Sequence, residues 1–274
     1  MKVIQSSAEL RAELSRYQRP ALVATMGNLH EGHLALVQQA KALGDVNVAT
    51  IFVNRLQFLP HEDFSTYPRT LESDCAKLHS AGCDLVFAPS EQELYPTAQT
   101  YKIHPPAELA DILEGHFRPG FFVGVCTVVL KLFNIVQPRV ALFGKKDYQQ
   151  QLILRHMIAQ MALPIELVTG DTRRADDGLA LSSRNSYLSA TQRRQAVELS
   201  QELKRMVEAL RNADYRFNEL EAQAMQSLLG HGWQPDYMTV RRRDNLQSPQ
   251  PGDDLVVLGA ARLGNTRLID NFEV

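Results

Sequence analysis

The residues best suited to chemistry form one string, Met26-Gly27-Asn28-Leu29-His30-Glu31-Gly32-His33. It follows a short apolar run at 21–25 and precedes a segment with helical spacing. Gly27 permits a tight turn and the close approach of a ligand, and Gly32 removes a side chain beside the second histidine. His30 and His33, three apart in a first helical turn, point to one side. Free N–H groups and the positive end of the helix dipole lie there too, and the combination suits a polyphosphate. Two histidines at a helix start can also be surface caps, or part of a metal site whose other ligands are missing. His-x-Gly-His directly after a first strand is a demanding coincidence for either.

Three further groups follow apolar runs. Gly144-Lys145-Lys146-Asp147 comes after 140–143 and opens a helix carrying Gln150. Asp147 and Gln150 also have the spacing of a capping box. Asn54 and Gln57 lie just past a run ending at Val53, where Gln57 is as readily a polar loop residue as a ligand. Leu181-Ser182-Ser183-Arg184 offers two hydroxyls and a guanidinium to a phosphate, although the tripeptide alone is a weak signal.

The elements that must position these residues alternate in kind. Runs at 21–25, 47–53, 84–88, 140–143 and 165–168 read as buried strands. Between them lie helical patterns, clearest at Val125, Val128, Val129, Leu132, Phe133 and Val136 before Pro138, and at Leu36, Ala40 and Leu43 before Gly44. Strand and helix in alternation predict a Rossmann-like α/β domain with a parallel sheet, whose ligands bind at the carboxyl ends of strands. Ser6 with Glu9 reads as a capping box opening a short surface helix.

After about residue 174 the pattern changes. Ser189 with Gln192 reads as the cap of a long helix to about Asn212, and a second helix runs near 217–229. Strands are expected at 236–240, 254–262 and 266–272, the last two joined by the hairpin dipeptide Gly264-Asn265. The predicted organisation is a domain at 1–174 and a smaller α+β domain at 175–274, with the Leu181-Ser182-Ser183-Arg184 loop at its start.

Composition narrows the partners. A formal charge of −2 argues against a nucleic-acid or anionic-membrane surface. The apolar stretch 121–130 falls well short of the roughly 20 residues of a spanning helix, and the N-terminus has no signal-peptide core. Three cysteines, Cys75, Cys83 and Cys126, without C-x-x-C spacing suit reduced, inert thiols in a cytoplasm; no metal site is expected.

His-x-Gly-His resembles the signature of the nucleotidyltransferase superfamily, and Thr25 to His33 is similar to the string of the pantothenate synthetase family. Further matches follow at 51–58, at Tyr67-Pro68-Arg69-Thr70-Leu71, and at 84–89, 131–138, 143–150 and 177–185. The resemblance covers about residues 20–190. It implies a ligase in which pantoate and MgATP give pantoyl adenylate and pyrophosphate. β-Alanine then displaces AMP to form pantothenate.

By the same resemblance, Met26, Gly27, Asn28, Leu29, His30, Glu31, Gly32 and His33 form the ATP loop, with His33 as proton donor. Gly144, Lys145, Lys146, Asp147 and Arg173 also meet ATP, and Leu181, Ser182, Ser183 and Arg184 wrap pyrophosphate. Lys146 acts on the phosphates with the histidines. Gln57, Gln150 and Asn54 hold pantoate or β-alanine. ATP and Mg2+ carried by ATP are the implied cofactors, and a homodimer the implied assembly. Arg55, Phe121, Val123 and Arg173 depart from the family pattern, and Arg55 is expected to face the acid or its rim. Rival readings are another nucleotidyltransferase that adenylates a phosphate ester, and a non-catalytic nucleotide sensor.

Overall fold

The computed structural model of the chain describes residues 1–59, 62 and 64–274. It divides into two compact units, Met1–Lys145 with Ile153–Asp171, and Lys146–Leu152 with Thr172–Val274. Residues 146–152 and 172–174, read from the sequence as part of the first domain, thus group with the second.

The first unit is built on a six-stranded parallel sheet of order β1-β4-β3-β2-β5-β6. Its strands are β1 (Lys2–Ile4), β2 (Pro20–Thr25), β3 (Val46–Ile51), β4 (Leu85–Phe87), β5 (Val140–Gly144) and β6 (Glu166–Gly170). β1 escaped the sequence reading because only Ile4 of its three residues is buried, so it shows no periodic pattern. β2 and β3 are apolar almost throughout because helices cover both faces of a parallel sheet.

On one face, α2 (Glu31–Leu43) and α3 (Leu71–Ser80) bury Val37, Ala40 and Leu78 against Ala21, Val23, Ala49 and Leu142. Short helical turns α4 (Glu91–Leu94), α5 (Ala107–Ala110) and α6 (Glu114–Phe117) lead to α7 (Phe121–Val136). α7 packs with α1 (Ser7–Leu14) and buries Val125, Val129, Leu132 and Phe133, at about 1.5–3 kcal/mol for each such side chain. α8 (Tyr148–Gln160) returns the chain to β6.

α1 corrects one expectation. Ser6 sits at its N-cap without a side-chain bond, and the Ser7 N–H donates instead to Glu93 Oε1 at 2.8 Å. Leu10 and Leu14 are buried, so this is no purely surface helix.

The second unit holds an antiparallel sheet, β7 (Gln234–Arg242), β8 (Leu255–Leu263) and β9 (Thr266–Glu273). Gly264 takes φ +59 in the predicted hairpin, the left-handed first position that glycine fills without strain. Ser189 and Gln192 form the expected capping box, but the long helix is interrupted at Ala196 into α9 (Ala190–Gln195) and α10 (Val197–Arg211). α10 and α11 (Phe217–Gly230) cover the sheet around Trp233, whose Nε1 donates to Glu198 at 2.8 Å. No helix of the described residues is long and apolar enough to cross a membrane.

Candidate functional site

Chain order in the first sheet reverses beside β2, since β3 and β4 lie to one side and β5 to the other. A crevice at the carboxyl ends of strands opens at such a switch point. The 26–33 loop leaves β2 there, and the neighbouring β5 ends at Gly144, just before Lys145.

Local bonds close the β2 loop. Thr25 Oγ1 donates to the Thr50 carbonyl at 2.6 Å and accepts from Gly27 N–H. Gly27 at φ +85 and Asn28 at φ +50 then turn two successive amides the same way. The Asn28 and Leu29 amides both meet Asp74 on α3: Asn28 N–H donates to Oδ2 at 2.9 Å and Leu29 N–H to Oδ1 at 2.8 Å. Lys77, one turn on, donates to the Leu29 carbonyl at 2.7 Å.

His30 is the N-cap of α2. Its Nδ1 accepts from Gly32 N–H at 3.1 Å, and His33 Nδ1 accepts from His30 N–H at 3.3 Å. The two rings lie 4.1 Å apart. Capping and phosphate chemistry, set as alternatives in the sequence, are here compatible: a ring that accepts at Nδ1 carries its neutral-state proton on Nε2. The expectation of free amides needs correction, however. The N–H groups of Asn28, Leu29, His30 and Gly32 all have protein acceptors. Within this loop the imidazoles therefore add donors to the first-turn amides outside that set, such as Glu31 N–H at the start of α2. Leu29 anchors the loop: its side chain is 3% exposed and both its backbone groups are engaged.

Gln57 stands beside this loop and donates through Nε2 to Met26 Sδ at 3.0 Å. Asn54, expected among the substrate ligands, is 1% exposed and saturated. Its Oδ1 accepts from Tyr95 OH and Leu56 N–H, and its Nδ2 donates to Gln57 Oε1 at 3.2 Å and to the Gly124 carbonyl at 3.1 Å. Asn54 therefore fixes the orientation of Gln57, leaving the Gln57 amide nitrogen as its outward donor. Arg118 holds the Gln57 carbonyl at 3.2 Å while paired with Glu62. Burial, with a smaller push from Glu91, raises the Tyr95 hydroxyl well above the ordinary phenol range and keeps it a donor.

A cavity of about 320 Å³ opens beside Gln57, lined also by Lys102, His104, Phe121, Val123 and Thr127. Two of the departures from the family pattern, Phe121 and Val123, face it. Arg55 does not line it: it is exposed, pairs with Glu91 at 3.0 Å and lies over the Phe64 ring.

In the second unit, β9 anchors two candidate loops. Asn271 Nδ2 donates to the Lys146 carbonyl at 2.8 Å, and Tyr148 OH meets Glu273. Asp270, 4% exposed, takes a bidentate pair from Arg174 at 2.6 and 2.8 Å, and Arg174 stacks on Phe272. Arg173 has an exposed side chain, and its carbonyl accepts from Leu181 N–H at 2.9 Å. Ser182 Oγ accepts from Arg184 N–H, and Asn185 donates to the Ala180 carbonyl. Asp147 is exposed, whereas Lys146 and Gln150 are half-buried. Lys145, just after the first unit's β5, pairs with Asp171 at 3.2 Å.

Asp74, Tyr95, Arg174, Asp270 and Asn271 were not foreseen. Each acts across a long sequence separation, and no local spacing marks it. Among the described residues no cluster of three His, Cys, Asp or Glu side chains could hold a metal.

The family model for pantoate-beta-alanine ligase matches residues 2–273. The pantothenate synthetase of Paracidovorax citrulli is 60% identical over 282 residues, covering 100% of both chains. The crystal structure of the Thermus thermophilus pantothenate synthetase matches with a TM-score of 0.94 at 42% identity, over 100% of this chain and 99% of that one. The Francisella tularensis pantoate-beta-alanine ligase, solved with beta-gamma ATP and beta-alanine, matches with a TM-score of 0.79 at 32% identity, over 100% and 97%.

Proposed function

The chain belongs to the pantoate-β-alanine ligase family, and from that membership we propose how its residues carry out an ATP-dependent, two-step ligation. The enzyme joins pantoate to β-alanine. In the first step a pantoate carboxylate oxygen attacks the α-phosphorus of ATP, and the bond to pyrophosphate breaks. In the second, the β-alanine amine attacks the acyl carbon, loses a proton and expels AMP.

A carboxylate is a poor electrophile, so adenylation supplies the leaving group; the protein positions the reactants and stabilises charge. The observation that carries the reading is the capped pair His30–His33 at the carboxyl end of β2. With Nδ1 held by backbone amides, each neutral ring keeps its proton on Nε2, as a donor to the phosphates. His33 meets the charge that grows as pyrophosphate leaves. The family resemblance assigns Lys146, Ser182, Ser183 and Arg184 to phosphate binding as well, and magnesium arrives on the nucleotide. Gln57, held by Asn54, donates to pantoate, with Gln150 as the second amide. The homologous complex with beta-gamma ATP and beta-alanine supports these substrate classes. We place the enzyme in a cytoplasm, where Cys75, Cys83 and Cys126 stay reduced, and as a homodimer, as the family resemblance implies.

The test is a paired assay. Pyrophosphate release should need pantoate and ATP alone, and AMP release should need β-alanine as well. AMP transfer to a phosphate ester, or nucleotide binding without turnover, would overturn the proposal.

A further inference from the structure

Asp74 is fully buried on α3, 45 residues beyond Leu29 in sequence. Its carboxylate accepts three bonds: from Asn28 N–H, from Leu29 N–H and, at 2.9 Å on Oδ2, from Thr70 Oγ1. A buried carboxylate is costly unless its oxygens are bonded, so this arrangement persists only while all three donors stay in place. Space is equally constrained. A Cβ on Gly27 would lie 3.0 Å from Asp74 Oδ2, so the loop backbone runs directly over the carboxylate. With Lys77 on the Leu29 carbonyl, α3 grips both backbone groups of the residue just before His30.

We propose that Asp74 is a positioning residue for the histidine pair. By fastening Asn28 and Leu29 it sets where the His30 backbone begins α2. His33 Nδ1 reads that same backbone through the His30 N–H. The order of dependence is Asp74, then the 28–29 backbone, then His30, then the outward Nε2 of His33. This explains why the left-handed pair Gly27 and Asn28 turns the amides that follow towards α3 instead of towards a nucleotide. The inference rests on the proposed role of the histidines in adenylation.

Asp74→Asn tests it. The amide keeps the volume but replaces one acceptor with a donor that confronts a loop N–H. Two measurements keep the outcomes apart. The imidazole signals of His30 and His33 in proton–carbon NMR should move while those of His104 and His231 stay. The maximal rate of pyrophosphate release should fall about 10²-fold, with the KM for ATP and the consumption of pre-formed pantoyl adenylate little changed. Unmoved His30 and His33 signals would overturn the proposal, as would equal damage to both half-reactions. Moved signals with normal adenylation would uphold the positioning and remove the histidines from the proposed chemistry. Should Asp74→Asn not fold, Thr70→Val removes one of the three donors at constant shape. It must then move the His30 and His33 signals and leave those of His104 and His231 in place, or the proposal falls.

Discussion

Gly124→Ala is the smallest change expected to disable acid binding. Gly124 lies in the first turn of α7, against the turn that carries Gln57. A Cβ there would sit 2.2 Å from the Leu56 carbonyl oxygen, 2.5 Å from its carbon and 2.8 Å from Gln57 N. Ordinary carbon–oxygen contacts lie at about 3.3–3.6 Å, so the 56–57 backbone must retreat by about 1 Å. No rotamer change relieves the clash, because all three neighbours are main-chain atoms. The Gly124 carbonyl also accepts from Asn54, so the same shift loosens the residue that orients Gln57. Overpacking of this kind costs about 1–3 kcal/mol of stability. A 1 Å misplacement of a positioning group costs about 10²-fold in rate. With initial rates of pyrophosphate release, kcat/KM for pantoate should therefore fall about 10²-fold while the KM for ATP stays within about threefold. Gly230→Ala is the control, since nothing lies within 4 Å of its added Cβ. A folded Gly124→Ala enzyme with undiminished kcat/KM for pantoate would refute the reasoning.

Tyr95→Phe removes the donor to Asn54 Oδ1 and should raise the KM for pantoate more than that for ATP; equal effects would argue against the Asn54–Gln57 linkage. Arg55→Pro should leave both Michaelis constants unchanged, because the Arg55 side chain lies in solvent beside Glu91 and proline fits the first position of the turn. A selective rise for the acid would place Arg55 at the acid or its rim, as the sequence led one to expect. Burial pushes the Cys83 thiol up to about 11 and the Cys126 thiol to about 12. An unfolded thiol titrates near about 8.5, so the native state holds more protons above that pH, and the stability these thiols confer is lost as pH rises towards 11–12. Urea midpoints at pH 8 and 10 should differ less in a Cys83→Ala, Cys126→Ala variant than in the parent; an equal difference would contradict this.

The strands other than β1, the helix α7 and the β2 loop were legible because burial imposes periodicity and glycine marks its own turn. Gly27, His30 and His33 could be found by type and spacing alone. The function of Asn54 could not, since a saturated amide and a ligating one look alike in sequence. Nor could the destination of the Asn28 and Leu29 amides, which depends on a carboxylate brought in by α3. The Ser6 cap failed for the same reason: Glu93 competes for the helix end from another element. The pairing of Arg55 with Glu91 was not legible either, because two residues of chain separation from Gln57 do not fix the direction of a long side chain.

In the proposed adenylation, His33 Nε2 stabilises the departing pyrophosphate while Nδ1 merely holds the ring. His33→Asn separates the two, because Asn Oδ1 can occupy the place of Nδ1 and keep the cap on His30 N–H, while the Nε2 donor is gone. Both half-reactions should be followed on the folded variant, pyrophosphate release from pantoate and ATP, and consumption of pre-formed pantoyl adenylate by β-alanine. The expected result is a loss of about 10²–10³ in the first, little change in the second, and partial recovery of the first in His33→Gln. Normal adenylation by His33→Asn, or equal loss in both half-reactions, would contradict it.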